Sequence, residues 1–225
     1  MSVYMTEAEQ IDAIKSWWKR YNNLITVILS LVLLAMSGYK YWHWHQEKIS
    51  QQASNAYEHL MASFSSQDNK GVRAYAGQLI TDYGQTIYAD AARLTLAKLY
   101  IARENYKQAQ AELDYVATNS PTVALKQIAT IRLARLFASR AAYDEALARL
   151  SQVDSGVYLP LANELRGDIF AARGQYTNAT LAYKKAMSDA RMNGMGNLFL
   201  EMKRNELAAM TQSKQAHTAI PHTAV

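Results

Sequence analysis

In a chain without cysteine, histidines and carboxylates are the residues best suited to hold a metal or move a proton. Their densest gathering with aromatics is "YKYWHWHQE", Tyr39 to Glu47. Two of the five histidines, His43 and His45, alternate there with Trp42 and Trp44. Two imidazoles would supply half of a metal centre. A helical pair that shares one ion is spaced i, i+4, whereas residues two apart point about 200° away from each other. His59 stands alone in a helical stretch, and His217 and His222 lie in the polar carboxyl-terminal tail. No H-E-x-x-H pair, phosphate-cradling glycine loop or G-x-S-x-G elbow occurs. The absence of cysteine removes thiolate ligands, thiol nucleophiles and disulfides. The expectation is a noncatalytic protein with no catalytic, cofactor-binding or metal-binding residues.

The elements that carry these side chains are helices. Half of the 225 residues are apolar, with three prolines and nine glycines, a composition too poor in turn formers for a sandwich or barrel. The net charge of +5 comes from basic residues scattered among acidic ones, without the basic stripe that nucleic acid requires. The length allows one ordinary domain plus an appendage.

The appendage is read from "YNNLITVILSLVLLAMSGY", Tyr21 to Tyr39, which contains no charge. As a helix it would span roughly 27 Å, close to the hydrocarbon thickness of a bilayer. Trp17, Trp18 and Tyr21 precede the run and Tyr39, Tyr41, Trp42 and Trp44 follow it, as aromatic belts at two interfaces would. The predicted organisation is a cytoplasmic amphipathic lead (1–20), a retained transmembrane anchor (21–42) and a connector (43–50). In this frame "WHWH" marks the exit from the headgroup layer. Lys15, Lys19 and Arg20 against Lys40 and Lys48 is a margin of three to two, which nominally puts the amino terminus inside and does not by itself decide the orientation. Asn23, Thr26, Ser30 and Ser37 fall on one face of the span, suited either to close contact with another membrane helix or to bonding their own backbone. Ile11, Ile14, Trp17, Trp18 and Tyr21 make the apolar stripe of the lead, which suits a membrane surface or a cytosolic docking partner.

Beyond the anchor the chain repeats. "LAKLYIARENYKQAQAEL" from Leu96, "LARLFASRAAYDEALARL" from Leu133 and "RGDIFAARGQYTNATLAY" from Arg166 align at offsets of 37 and 33 residues. Each has a small residue (Ala97, Ala134, Gly167), then an aromatic (Tyr100, Phe137, Phe170), a tyrosine (Tyr106, Tyr143, Tyr176), an alanine (Ala109, Ala146, Ala179) and a bulky residue (Leu113, Leu150, Tyr183). Such a pattern packs two antiparallel helices, with small residues where backbones approach. The repeats resemble the tetratricopeptide repeat, including Pro121 at its closing position. Tryptophan is missing near each start, and Glu104 and Ala141 stand where Gly174 retains the turn glycine. The fold class is therefore all-α: a single amino-terminal transmembrane helix followed by a tetratricopeptide-like helical-hairpin solenoid over 51–210. Its units lie near 51–85, 90–121, 127–158 and 160–191, with a closing helix at 198–210 and a disordered tail at 211–225.

The acidic start with "EAEQIDAIKSWWKRY", the span, "YKYWHWHQ", "YADAARLTLAKLY", "IRLARL", "LRGDIFAARGQYTNATLAYKKA" and "LEMKRNELA" together resemble the YfgM family, ancillary subunits of the bacterial SecYEG translocon. The resemblance implies an inner-membrane, single-pass protein with a periplasmic repeat domain. It further implies association with SecYEG and with PpiD, a membrane-anchored chaperone, and work on exported polypeptides. A scaffold for envelope assembly or stress signalling is the alternative. In tetratricopeptide domains the first helix of each unit lines the concave face, and the register then places Leu94, Lys98 and Ile101, Ile131 and Arg135, and Leu161, Glu164 and Asp168 there. These positions either hold a partner segment or pack repeat on repeat.

Overall fold

The computed structural model describes residues 7–154, 156–193 and 200–209, and these are helical apart from the turns between helices. The chain divides into two compact units, Met1–Gln52 and Ala53–Val225.

Helix α1 (Glu7–Ser65) runs through the amino-terminal unit, and its residues from Ala53 onward belong to the second unit. The large apolar side chains from Leu24 to Met36 that are described stand exposed, Leu34 at 69%. No single helix among the described residues is long and apolar enough to cross a membrane, but Ile14–Leu24 and Thr26–Ser65, bent by 46°, meet that test together. At the bend the Thr26 hydroxyl donates to the Asn22 carbonyl at 2.7 Å, a back-bond that commonly bends helices. Thr26 thus bonds its own backbone. Asn23, Ser30 and Ser37 are exposed beside it.

The second unit is a series of helical hairpins. Ala53, Ala56 and Leu60 at the end of α1 pack with Val72, Ala76 and Leu79 of α2 (Asn69–Asp82), and α3 (Ile87–Ala102) pairs with α4 (Tyr106–Asn119), α5 (Val123–Ser139) with α6 (Tyr143–Leu150), and α7 (Leu159–Ala172) with α8 (Tyr176–Met192). Residues 200–209 form a further helix, α9. The other ends of the expected closing helix, and the tail, lie outside the described residues.

Each hairpin turns in the same way. Gln67, Glu104, Ala141 and Gly174 have positive φ, 58°, 58°, 59° and 73°. The next residue's N–H reaches back over the turn: Asp68 to Ser63, Asn105 to Tyr100, Ala142 to Phe137 and Gln175 to Phe170, at 2.8–3.0 Å. This is the Schellman ending, in which a left-handed residue lets two N–H groups satisfy the last carbonyls of a helix.

The core follows the repeated small and bulky positions. Ala97, Ala109 and Leu113 are buried with Leu133 between α3, α4 and α5, and Ala134, Ala146 and Leu150 are buried with Ile169 between α5, α6 and α7. The last hairpin exchanges alanine and leucine for glycine and tyrosine. A Cβ on Gly167 would lie 2.9 Å from Tyr183 Cζ and nearer still to Cδ1 and Cε1, so the ring fills the space the glycine leaves. Tyr183, Ala179 and Ala186 pack with Leu200 and Leu207 of α9.

A basic cleft on the repeat domain

Helices α3, α4 and α5 enclose a cleft of ≈ 470 Å³ with a floor of Leu94, Ala97, Leu113 and Leu136 and with Lys98, Ile101, Arg132, Arg135 and Ser139 around it. The periodicity of the helices puts these side chains there: 94, 98 and 101 on α3, and 132, 135 and 139 on α5, each recur at three- or four-residue steps. Beside it lies a second pocket of ≈ 310 Å³, lined by Tyr57, Met61 and Phe64 of α1, by Ala91, Leu94, Thr95 and Lys98 of α3, and by Leu125, Ile128 and Arg132 of α5. Leu94, Lys98 and Arg132 are common to both. The Lys98 ammonium lies 4.9 Å from the centre of the Phe64 ring. Neither lining includes an aspartate or glutamate.

Of the eight groove positions expected from the register, Leu94, Lys98, Ile101 and Arg135 come together in this cleft. Ile131 does not. It is 2% exposed and packs with Ala134, Leu150 and Ile169, and its neighbour Arg132, which sequence reasoning missed, takes the place on the cleft. The helical stripe Ile128, Arg132, Arg135 was the signal that could have found it. Leu161 is exposed but lies outside the cleft.

Glu164 and Asp168 are engaged elsewhere, because Lys203 of α9 donates to Glu164 Oε1 at 2.9 Å and to Asp168 Oδ1 at 2.8 Å. Tyr183 also donates to Asp168 Oδ1, at 2.7 Å. Burial pushes the Tyr183 hydroxyl well above its ordinary value, and the carboxylate of Asp168 adds to the shift. For Lys203 burial works downward, but the bonds to Asp168 and Glu164 outweigh it and hold the ammonium above its ordinary value. These two acids, expected as groove charges, are therefore a clamp on the closing helix.

Other cations are spent on the fold. Arg93 pairs with Glu112 at 2.8 Å while its guanidinium lies over the Tyr115 ring, Arg149 pairs with Asp114 at 2.9 Å, and Arg173 with Asp144 at 2.8 Å. Lys98, Arg132 and Arg135 have no ion-pair partner among the described residues.

The two histidines of "WHWH" take different neighbours. His43 Nδ1 lies 3.4 Å from Glu47 Oε1, an i, i+4 pair that sequence reasoning passed over, and the His45 ring lies parallel to Tyr41 within 7°. Among the described residues no three histidine, aspartate or glutamate side chains converge as metal ligands would.

The family described as "Tetratricopeptide repeat-like domain" matches residues 15–209. The chain is 29% identical over 207 residues to a Haemophilus influenzae protein called "Ancillary SecYEG translocon subunit", covering 92% of this chain and all of that one. A protein of the same name from Aggregatibacter actinomycetemcomitans is 27% identical over 190 residues, 84% of this chain and 93% of its own length. One from Escherichia coli is 24% identical over 208 residues, 92% of this chain and its whole length. No solved structure matches the chain.

Proposed function

The chain belongs to the tetratricopeptide repeat-like domain family and, within it, to the YfgM family, and from this we propose that it is a noncatalytic accessory of the Sec translocon. In this role the repeat domain binds partner proteins, and the relatives named as ancillary SecYEG subunits support it over most of their length. The observation that carries the binding role is the cleft between α3 and α5, with its apolar floor and its rim of Lys98, Arg132 and Arg135.

The finer parts of the proposal concern placement and partners. The protein is a single-pass inner-membrane protein with its amino terminus in the cytoplasm and its repeat domain in the periplasm. The uncovered apolar side chains from Leu24 to Met36 support a bilayer as their surroundings, because a face of this kind left in water is unfavourable. Asn23, Thr26, Ser30 and Ser37 form the face toward the translocon. Through the cleft the protein works with a PpiD-like membrane-anchored chaperone and helps pass exported polypeptides onward.

Photo-cross-linking residues at positions 26 and 30 test the translocon contact in intact cells. Adducts with the channel subunit are the expected result, and adducts confined to other proteins would reject it. Protease added to spheroplasts is expected to remove the chain beyond Gln46; protection of that region would overturn the orientation.

A further inference from the structure

We propose that the cleft between α3 and α5 takes an acidic polypeptide segment with a carboxylate placed between two apolar anchor side chains. This rests on the reading above that the cleft is a partner-binding face. Its chemistry is set by which groups the fold leaves uncompensated. Arg93, Arg149, Arg173 and Lys203 are each held by a carboxylate of the same domain. Lys98, Arg132 and Arg135 are gathered on one cleft without such a partner, and neither pocket lining contains an acid. Like charges brought together in this way repel one another, and an incoming carboxylate relieves that repulsion.

The geometry further restricts the ligand. The two pockets are separate apolar hollows, and the residues they share are Leu94 on the floor and Lys98 and Arg132 between them. A chain that seats one apolar side chain in each must pass over the two cations. A carboxylate at that point gains ion pairs that the covering chain shields from water, which strengthens them relative to pairs on an open surface. The Arg135 and Arg132 guanidinium groups offer forked donors suited to a carboxylate. A bilayer surface fits less well, because Leu94 and Leu136 are 6% and 4% exposed at the bottom of a cleft that a flat sheet does not enter. A polynucleotide would find few cations and an apolar floor.

Fluorescence anisotropy on the detergent-solubilised full chain tests this with labelled peptides that carry two leucines around a pair of glutamates, and with the same peptides carrying lysines. The glutamate peptide should bind at least about tenfold more tightly, with affinity falling as salt rises from about 50 to about 300 mM. The triple variant K98E/R132E/R135E should reverse the preference toward the lysine peptide. The milder K98Q/R132Q/R135Q variant should lose the preference without reversing it, and a melting curve like the parent's keeps either result interpretable. Equal binding of both peptides, binding by neither, or an unchanged preference in the folded variants would overturn the inference. Recovery of the channel subunit with the tagged parent chain is scored separately. If the channel subunit is recovered while the peptides are not discriminated, the ligand chemistry is wrong and the translocon role stands; if it is not recovered, that role fails.

Discussion

Replacing Gly167 by alanine tests whether the last hairpin is packed by an exchanged pair. The added Cβ would lie 2.9 Å from Tyr183 Cζ and closer to two other ring atoms, well inside ordinary contact at 3.4–4 Å. The ring has little freedom to yield, because Tyr183 is 3% exposed and its hydroxyl is bonded to Asp168 at 2.7 Å. Overpacking of this kind costs about 1–3 kcal/mol. Displacing the ring also weakens a hydrogen bond to a charged group, worth about 1.5–3 kcal/mol. The expected loss for G167A is therefore about 3–5 kcal/mol. Y183L should cost about 2–3 kcal/mol for lost packing and the lost bond. In the Y183L background the alanine no longer meets a ring, and the two positions match Ala97 with Leu113 and Ala134 with Leu150. There G167A should stabilise by about 0.5–1 kcal/mol, the ordinary gain of alanine over glycine in a helix. The double-mutant cycle isolates this change of sign. Urea unfolding followed by far-ultraviolet circular dichroism measures it in the solubilised full chain. An equal effect of G167A in both backgrounds would refute the exchange.

The turns make a second prediction. Glu104 and Ala141 sit at φ 58° and 59° without the glycine that Gly174 provides, so E104G and A141G should each stabilise by about 0.5–1 kcal/mol. G174A should lose a similar amount, and thermal melting would show shifts of about 2–4 °C per kcal/mol. The clamp predicts alkaline sensitivity. Lys203 and Tyr183 have folded pKa values above their ordinary 10.5 and 10.0, so both hold their protons more tightly in the folded chain. Their contribution is fully present below about pH 10 and is lost as pH rises through the folded values. K203M should therefore melt with a shallower alkaline decline than the parent; parallel curves would remove Lys203 from that role.

The hairpins were legible in the sequence because the small, aromatic, tyrosine and alanine positions recur through three units, and each plays the same packing part wherever it stands. The first hairpin was harder to see, since Asn69 stands two residues after Gln67 where the other three turns carry Tyr106, Tyr143 and Tyr176. The cleft was legible only in half. A cleft between the first helices of two successive hairpins is lined by opposite flanks of each, so positions equivalent by register cannot all face it. Leu94 reaches the floor, while its equivalent Ile131 turns into the core and Arg132 comes to the rim. The Lys203 clamp was hidden for another reason. Glu164 and Asp168 look like solvated groove charges until a helix 35 or more residues later closes on them. Thr26 offers a smaller example, its hydroxyl bonding its own backbone where a neighbouring helix was one of two expectations.

The clamp on α9 also bears on the order in which the molecule completes itself. Ribosomes deliver the hairpins one by one, and each buries the exposed side of its predecessor as it arrives. The α7–α8 hairpin is covered by α9, so the side of Tyr183, Glu164 and Asp168 that α9 meets stays open until residues 200–209 emerge and Leu200, Lys203 and Leu207 settle on it. An unfinished chain therefore carries a sticky, negatively charged face until residues 200–209 are made. A nonsense codon shortly before position 200 would leave that face permanently open.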